Sequence, residues 1–401
     1  MNLDRIPSRQ TLTSHPQAPF FAGAPSGVMA LARTTCRAAT FSAMTRRAAL
    51  VSCAALSAVT LGVMPPQSVG AASSHTPPAK AMQRGALART GVQAQDPSAP
   101  GPYMVITQEF TKGQSGVPTN LDIYLPNSTQ TFPGIVFGHG FSQYKDYQHD
   151  NAMQLASWGF VVVVPTFSSK SDHEANAYEM LDLVDWMIST QNPFSAAVDI
   201  SRLGLAGHSA GGLSTTIATG IDSETDRRIS ASMGLDPVDV VQGSTSEGIP
   251  FAKNIASPLF YLVGIPYMCN SDGNSQGMYD AIPPTTDKMY LRIPTSVHCD
   301  FNTQGLDDAC NPNEKPARPL KVIRLLATQG WDAAYQEATA GTCAVDGMLV
   351  DRSKEVNLIE EYMTAYFLSE LAGQTWALPW LYGGTEVARD VSAGLVTDLQ
   401  Y

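Results

Sequence analysis

From residue 101 onward, short apolar runs alternate with stretches whose apolar positions recur at helical spacing. Tyr103 to Phe110 and Asn120 to Leu125 predict two opening strands joined through a Gly-containing turn. Phe132 to Phe137, with Pro133 at its start, predicts a short strand ending at His139-Gly140. Ala152 to Trp158 predicts a helix, and Phe160 to Val164 is an uninterrupted Val-rich run of the kind buried on both faces. Met180, Leu183, Val184 and Met187 fall at helical spacing within Ala175 to Thr190. Arg202 to Ala206 predicts the next strand, followed by the turn Gly207 to Gly212 and a helix of small residues. Ile229 to Leu235, Pro258 to Val263 and Lys288 to Ile293 predict three more strands, and Asn357 to Leu371 a closing amphipathic helix. Such alternation implies an α/β class, with a mostly parallel central sheet covered by helices on both faces.

The segments outside this pattern are of three kinds. Residues 72–100 are rich in Ala, Ser, Pro, Gln and Gly without apolar period, and are expected to be a flexible linker. Tyr267 to Asp287 and Thr303 to Arg352 are long for simple connections, and are expected to form an insertion or rim beside the site. Trp376, Trp380 and Tyr382, in the tail 373–401, are expected to be packing anchors.

The first 71 residues have the features of an export signal. Met44-Thr45-Arg46-Arg47 supplies positive charge, Ala48 to Met64 is apolar, and Val69-Gly70-Ala71 offers small residues for cleavage. The competing expectation is an uncleaved anchor, since the run is at the short edge for a membrane span. The paired arginines fit a twin-arginine signal weakly. Met44 is a natural start, because residues 1–43 would make an unusually long leader. The expected product is therefore secreted, beginning near Ala72.

Export changes the charge and the cysteine count. The whole chain carries a formal net charge of −11; without residues 1–71 it loses six arginines and one aspartate and reaches about −16. Such a surface repels phosphate backbones and anionic lipid, so neither nucleic-acid binding nor stable membrane association is expected. Cys36 and Cys53 fall in the leader, leaving Cys269, Cys299, Cys310 and Cys343. An even number in an oxidising compartment predicts two disulfides, with three pairings open. Cys299–Cys310 with Cys269–Cys343 is favoured because the first closes a short loop; four free buried thiols are the alternative. No C-x-x-C pair is present, which disfavours zinc.

The strongest chemical signal is Gly207-His208-Ser209-Ala210-Gly211. G-x-S-x-G between an apolar strand and a small-residue helix matches a nucleophile elbow, whose sharp turn leaves no room for side chains beside the serine. The competing role is a Gly-rich turn with a helix-capping serine. A serine hydroxyl needs a base, and chain order places acid and then histidine after it. His298 is the one histidine that follows Ser209, in the loop after a predicted strand. His139, His149, His173 and His208 precede or abut the elbow, and His15 and His75 lie outside the domain. The acid must hold the imidazole tautomer. Asp236, directly at a strand end before Pro237, is the first choice; Asp272, in a polar loop beyond the next strand, and Asp239 are alternatives. The oxyanion hole should use the backbone N–H groups of Ala210 and of Phe141, in the loop His139-Gly140-Phe141-Ser142.

Gly207-His208-Ser209-Ala210-Gly211-Gly212, Asp236-Pro237-Val238-Asp239 and His298-Cys299-Asp300 together resemble the chlorophyllase-like branch of the α/β-hydrolases. The platelet-activating-factor acetylhydrolases and cutinase-like polyesterases are similar in outline. The resemblance covers about residues 101–302 and implies an α/β-hydrolase catalytic domain over 101–401, with Asp236 as the acid. In the cutinase-like enzymes the acid follows the next strand, which keeps Asp272 in play. Val240 stands where the D-P-V-D-G segment ends in glycine, and a long cysteine-bearing region follows His298, so chlorophyll specificity does not carry over. The expectation is a secreted serine carboxyl-ester hydrolase acting on small-molecule or polymeric esters, without metal, nucleotide or flavin cofactor. An acyltransferase with the same residues, or a non-catalytic secreted binding protein, are the rival expectations.

Overall fold

A computed structural model describes residues 95–141, 143–239, 245–266, 274–303 and 352–401. The chain divides into Met1–Ser68 and Val69–Tyr401, and every described residue belongs to the second unit. The expected leader, most of the linker, Ser142, Val240, Cys269, Asp272, Cys310, Cys343 and most of the 303–352 insertion lie outside the described residues.

Among the described residues nine strands form one sheet, in the order β1-β2-β4-β3-β5-β6-β7-β8-β9. They are β1 (Val105–Phe110), β2 (Leu121–Pro126), β3 (Phe132–Gly138), β4 (Val161–Pro165), β5 (Val198–His208), β6 (Ile229–Leu235), β7 (Leu259–Val263), β8 (Lys288–Arg292) and β9 (Thr397–Gln400). The run from β4 through β3 to β8 is parallel, while β1, β2 and β9 pair antiparallel at the two edges. The parallel strands are apolar on both sides because helices cover both faces. On one face α1 (His149–Ser157) and α6 (Arg352–Glu370) pack a cluster around Phe160, Phe260, Tyr362 and Phe367. On the other, α2 (His173–Ile188), α3 (Ala210–Glu224), the short α4 (Ile249–Ala252) and α5 (Asn274–Ala281) pack around Met180, Leu213, Ile217 and Tyr261. No helix among the described residues is long and apolar enough to cross a membrane.

Departures from the predicted boundaries have local causes. The helix expected at Ala152 begins at His149, because Asn151 and the preceding Gln148 are buried polar residues rather than loop residues. Residues 95–100 depart from the flexible linker expected over 72–100: Gln154 Nε2 donates to the carbonyls of Pro97 and Ala99, and Trp158 Nε1 donates to Ala99 O. Strand β5 extends beyond the predicted Arg202 to Ala206 by four residues at its start and two at its end, with a register shift between Leu203 and Gly204. The C-terminal segment adds α7 (Thr385–Ser392) and β9 to the predicted elements; Val387 and Val391 stand one turn apart on α7, whereas β9 has no regular apolar alternation. Trp380 and Tyr382 are buried there, and Trp376 lies 5.6 Å from Trp158, centroid to centroid.

Candidate active site

Three strand ends converge at the C-terminal edge of the parallel sheet, where an open α/β sheet forms its crevice. Strand β5 ends at His208, paired with Leu235 at the end of β6. Ser209 follows, with φ 57° and ψ −121°, and α3 starts at Ala210. A non-Gly residue with such torsions is strained and persists only where its surroundings impose it. Here they do: the Ser209 N–H donates to Leu235 O at 3.0 Å, and Ser209 O accepts from Leu213 N–H and Val238 N–H. A Cβ at Gly207 would lie 2.2 Å from Gly211 O, and one at Gly211 would lie 2.5 Å from the carbonyl oxygens of both Gly138 and His139. The glycines of the elbow are therefore demanded by backbone-to-backbone approach.

Asp236 follows β6 directly, with φ 43°, a region that Asp tolerates better than most residues. Its N–H donates to Leu262 O at 2.7 Å, which ties the turn to β7. The side chain is completely buried, and its Oδ1 accepts from the Gly264 N–H at 3.1 Å. His298 opens a short 3-10 helix (His298–Phe301) beyond β8. Its Nδ1 lies 2.5 Å from Asp236 Oδ2, and its Nε2 lies 2.8 Å from Ser209 Oγ. A carboxylate only accepts, so Nδ1 carries the proton and Nε2 is left to accept from the serine hydroxyl. Asp236 is closed off from water, whereas 14% of the His298 side chain and 8% of Ser209 remain exposed. A substrate can therefore reach serine and imidazole without reaching the carboxylate.

The other sequence candidates sort by position. Asp239 is committed elsewhere: its carboxylate accepts from Ser246 Oγ, Glu247 N–H and Gly248 N–H. Asp272 lies outside the described residues. Ala210, the first residue of α3, places its N–H in the first turn, where N–H groups have no partner within the helix and the helix dipole favours negative charge. Phe141 sits on a braced loop: the Gly140 N–H donates to Gln143 Oε1, and Gly140 O accepts from His139 Nδ1–H at 2.7 Å. Cys299 is buried and disulfide-bonded, while Cys269, Cys310 and Cys343 lie outside the described residues.

Two histidines rejected as bases on chain order nevertheless belong to the site. His139 is buried; its Nε2 accepts from the Phe167 N–H at 3.0 Å, and burial lowers its pKa to about 4. His208 lies against His298, ring centroids 4.5 Å apart. The signal for both was present in the sequence, since each adjoins a glycine at a strand end, but neighbourhood to His298 is a fact of three dimensions.

Comparison with known proteins follows this geometry. The chlorophyllase family matches residues 95–255, a segment that contains Ser209 and Asp236 and stops short of His298. A bis(hydroxyethyl) terephthalate hydrolase of Streptomyces coelicolor is 25% identical over 194 residues, 46% of this chain and 56% of that protein. Cutinases est1 and est2 of Thermobifida alba are 23% and 24% identical, each over 44% of this chain and 56% of the cutinase. The chain thus spans little more than half the length of the relatives it matches. The fold is the α/β-hydrolase fold, and the chain is similar to the chlorophyllase-like and cutinase-like branch of that superfamily.

Proposed function

We propose that the chain is a secreted serine carboxyl-ester hydrolase that works through an acyl-enzyme on Ser209. The observation that carries this reading is the continuous path from Ser209 Oγ through His298 to Asp236, with links of 2.8 and 2.5 Å. As Oγ attacks the ester carbonyl carbon, Nε2 of His298 takes the hydroxyl proton. Asp236, steadied by Gly264, keeps the other proton on Nδ1 and stabilises the imidazolium. The oxyanion is held by the backbone N–H groups of Ala210 and Phe141; a single such donor contributes roughly 10²–10³-fold in kcat. Collapse breaks the ester C–O bond, and the alcohol leaves with the proton from His298. Water then attacks the acyl carbon with His298 again as base, releasing the carboxylic acid and restoring Ser209. No metal, nucleotide or flavin takes part.

The names of the similar proteins, a terephthalate hydrolase and two cutinases, support carboxylic esters, small or polymeric, as the substrate class. The disulfide at Cys299 supports an oxidising compartment, and with it export of a chain starting near Ala72.

Hydrolysis of p-nitrophenyl esters from C2 to C16 by the wild type and by Ser209→Ala tests the reading. Turnover abolished by the substitution is expected, together with stoichiometric labelling of Ser209 by a serine-directed phosphonate. A folded wild type that turns over no ester, or labelling at another residue, overturns it.

A further inference from the structure

Beside nucleophile and base stands a side chain that the mechanism above does not use. His208 is the last residue of β5, immediately before Ser209, and it is fully buried. Its Nε2 lies 3.0 Å from the main-chain carbonyl oxygen of His298. A carbonyl only accepts, so Nε2 carries the proton and donates. Burial, and after it the neighbouring His298, push the His208 pKa well below the ordinary histidine value, so the ring is neutral and Nδ1 is bare. The ring packs against the His298 imidazole, with centroids 4.5 Å apart, and lies nearly parallel to Phe301, 6.2 Å away at 13°.

The rest of the base loop is clamped by Asn151 of α1 and by Gln148, the residue before that helix. Asn302 interacts with the His208 ring, and its Oδ1 accepts from Gln148 Nε2. Asn151 Nδ2 donates both to Phe301 O and to Gln148 Oε1. The oxyanion loop passes against the same ring, since a Cβ at Gly140 would lie 3.2 Å from His208 Nδ1. One side chain therefore touches the base loop and the oxyanion loop while being bonded through the main chain to the nucleophile.

We propose that His208 is a positioning residue for this hydrolysis: its Nε2–H holds the main chain of His298 so that the imidazole stays aligned between Asp236 and Ser209. The proposal rests on the ester-hydrolase reading. Its physical ground is the steep dependence of proton transfer on placement, where an error of about 1 Å can cost roughly 10²-fold. Neutrality matters as much as the bond, because a cation at this position would oppose the imidazolium that His298 must form. A residue that merely filled space would be replaceable by any ring of similar volume.

That difference defines the experiment on the full chain. His208→Phe keeps a ring against His298 and Phe301 and removes the donor; His208→Gln keeps an N–H donor and loses the ring. Active sites are counted by the p-nitrophenol burst from diethyl p-nitrophenyl phosphate, and turnover of p-nitrophenyl butyrate is expressed per active site. His208→Phe is expected to lose tenfold or more in kcat with KM within twofold, while His208→Gln stays within about threefold of the wild type. The downfield proton resonance of His298 Nδ1–H is expected to persist in His208→Gln and to broaden or vanish in His208→Phe. Wild-type kcat per site in His208→Phe, or equal loss in both variants, overturns the proposal. Should His208→Phe not fold, Asn302→Ala serves: a three- to tenfold loss in kcat at unchanged KM supports the clamp, and unchanged kcat refutes it. If the wild type turns over no ester, the ester reading fails, and the proton resonance alone then decides whether His208 holds His298.

Discussion

Asp236 and His298 meet at 2.5 Å, Oδ2 to Nδ1, while the second oxygen of the same carboxylate is held at 3.1 Å by the Gly264 N–H. The two oxygens thus have separate fixed partners, both of them donors. This asymmetry predicts the outcome of Asp236→Asn. The Gly264 N–H requires an acceptor, so the Asn oxygen takes that place and its NH₂ faces His298 Nδ1. Nδ1 must then become the acceptor, and the proton moves to Nε2, where it blocks the serine. A fall in kcat of about 10³–10⁴ is expected, with KM little changed. Steady-state kinetics at pH 7 check it; a loss below tenfold would move the acid's role to another carboxylate, with Asp272 the first to replace.

The close approach of Gly211 to the carbonyls of Gly138 and His139 predicts a second effect. In Gly211→Ala a methyl would sit 2.5 Å from two backbone oxygens, and neither can rotate away. Either the elbow or the loop carrying Phe141 must shift. Overpacking of this kind costs typically 1–3 kcal/mol. Stability should fall by about that amount and kcat by at least tenfold, since the displaced groups include the expected oxyanion donors. Gly277→Ala is the control, because its nearest neighbour, the end of the Ile249 side chain, lies 3.5 Å away. Equal effects at the two positions would contradict the steric account.

How much of this was legible in the sequence depends on how local each cause is. The strand Ile229–Leu235 matched its prediction residue for residue, and the elbow was visible because glycine spacing and backbone crowding are consecutive in the chain. The position of Asp236 directly after a strand favours it over Asp239, and its carboxylate meets His298 while Asp239 binds its own loop. Less was legible where polar residues are buried for distant partners. Gln148 and Asn151 look like loop and helix-start residues until the 301–302 segment packs on them. The same holds for His139 and His208, whose significance lies in contacts with residues 28 and 90 positions away. The edge strand β9 has a half-exposed, irregular pattern, so its place is set by β8 rather than by its own residues.

His139 makes a prediction about acid stability. One of its hydrogen bonds needs the neutral ring, because Nε2 must accept from Phe167 N–H, whereas Nδ1–H donates to Gly140 O in either protonation state. Burial brings its folded pKa down to about 4 from an unfolded value of 6.5. Stability tied to this group is fully present above pH 6.5 and is lost as pH falls towards 4, by up to about 3 kcal/mol. His139→Leu removes the titration. It should be less stable than the wild type at pH 7 by about 1–3 kcal/mol, from the stranded Phe167 N–H. Its stability should then fall less steeply between pH 6.5 and 4. Urea unfolding of both proteins across that range is the measurement, and parallel curves would refute the assignment. His208, shifted in the same direction, keeps some acid sensitivity in the variant.

Glu361 predicts the opposite pH dependence. It lies on α6, where its Oε1 accepts a bond from Trp380 Nε1. Burial is the largest cause of its raised pKa, about 7, with Asp390 and Asp96 adding to the rise against the pull of Trp380 and Arg389. The folded value therefore lies above the unfolded value of 4.5, and the folded protein favours the neutral acid. Stability from this position is complete below pH 4.5 and is lost as pH rises through about 7, where the carboxylate must be charged among other carboxylates. Glu361→Gln keeps the oxygen that receives the Trp380 N–H and removes the charge. It should match the wild type near pH 4.5 and exceed it at pH 8 by about 1–3 kcal/mol, a rise of a few degrees in Tm. Thermal unfolding at the two pH values separates this from simple repacking, which would change stability equally at both. Because Glu361 sits at the pocket with Gln95, Asp96, Trp380 and Arg389 rather than beside Ser209, kcat should not change.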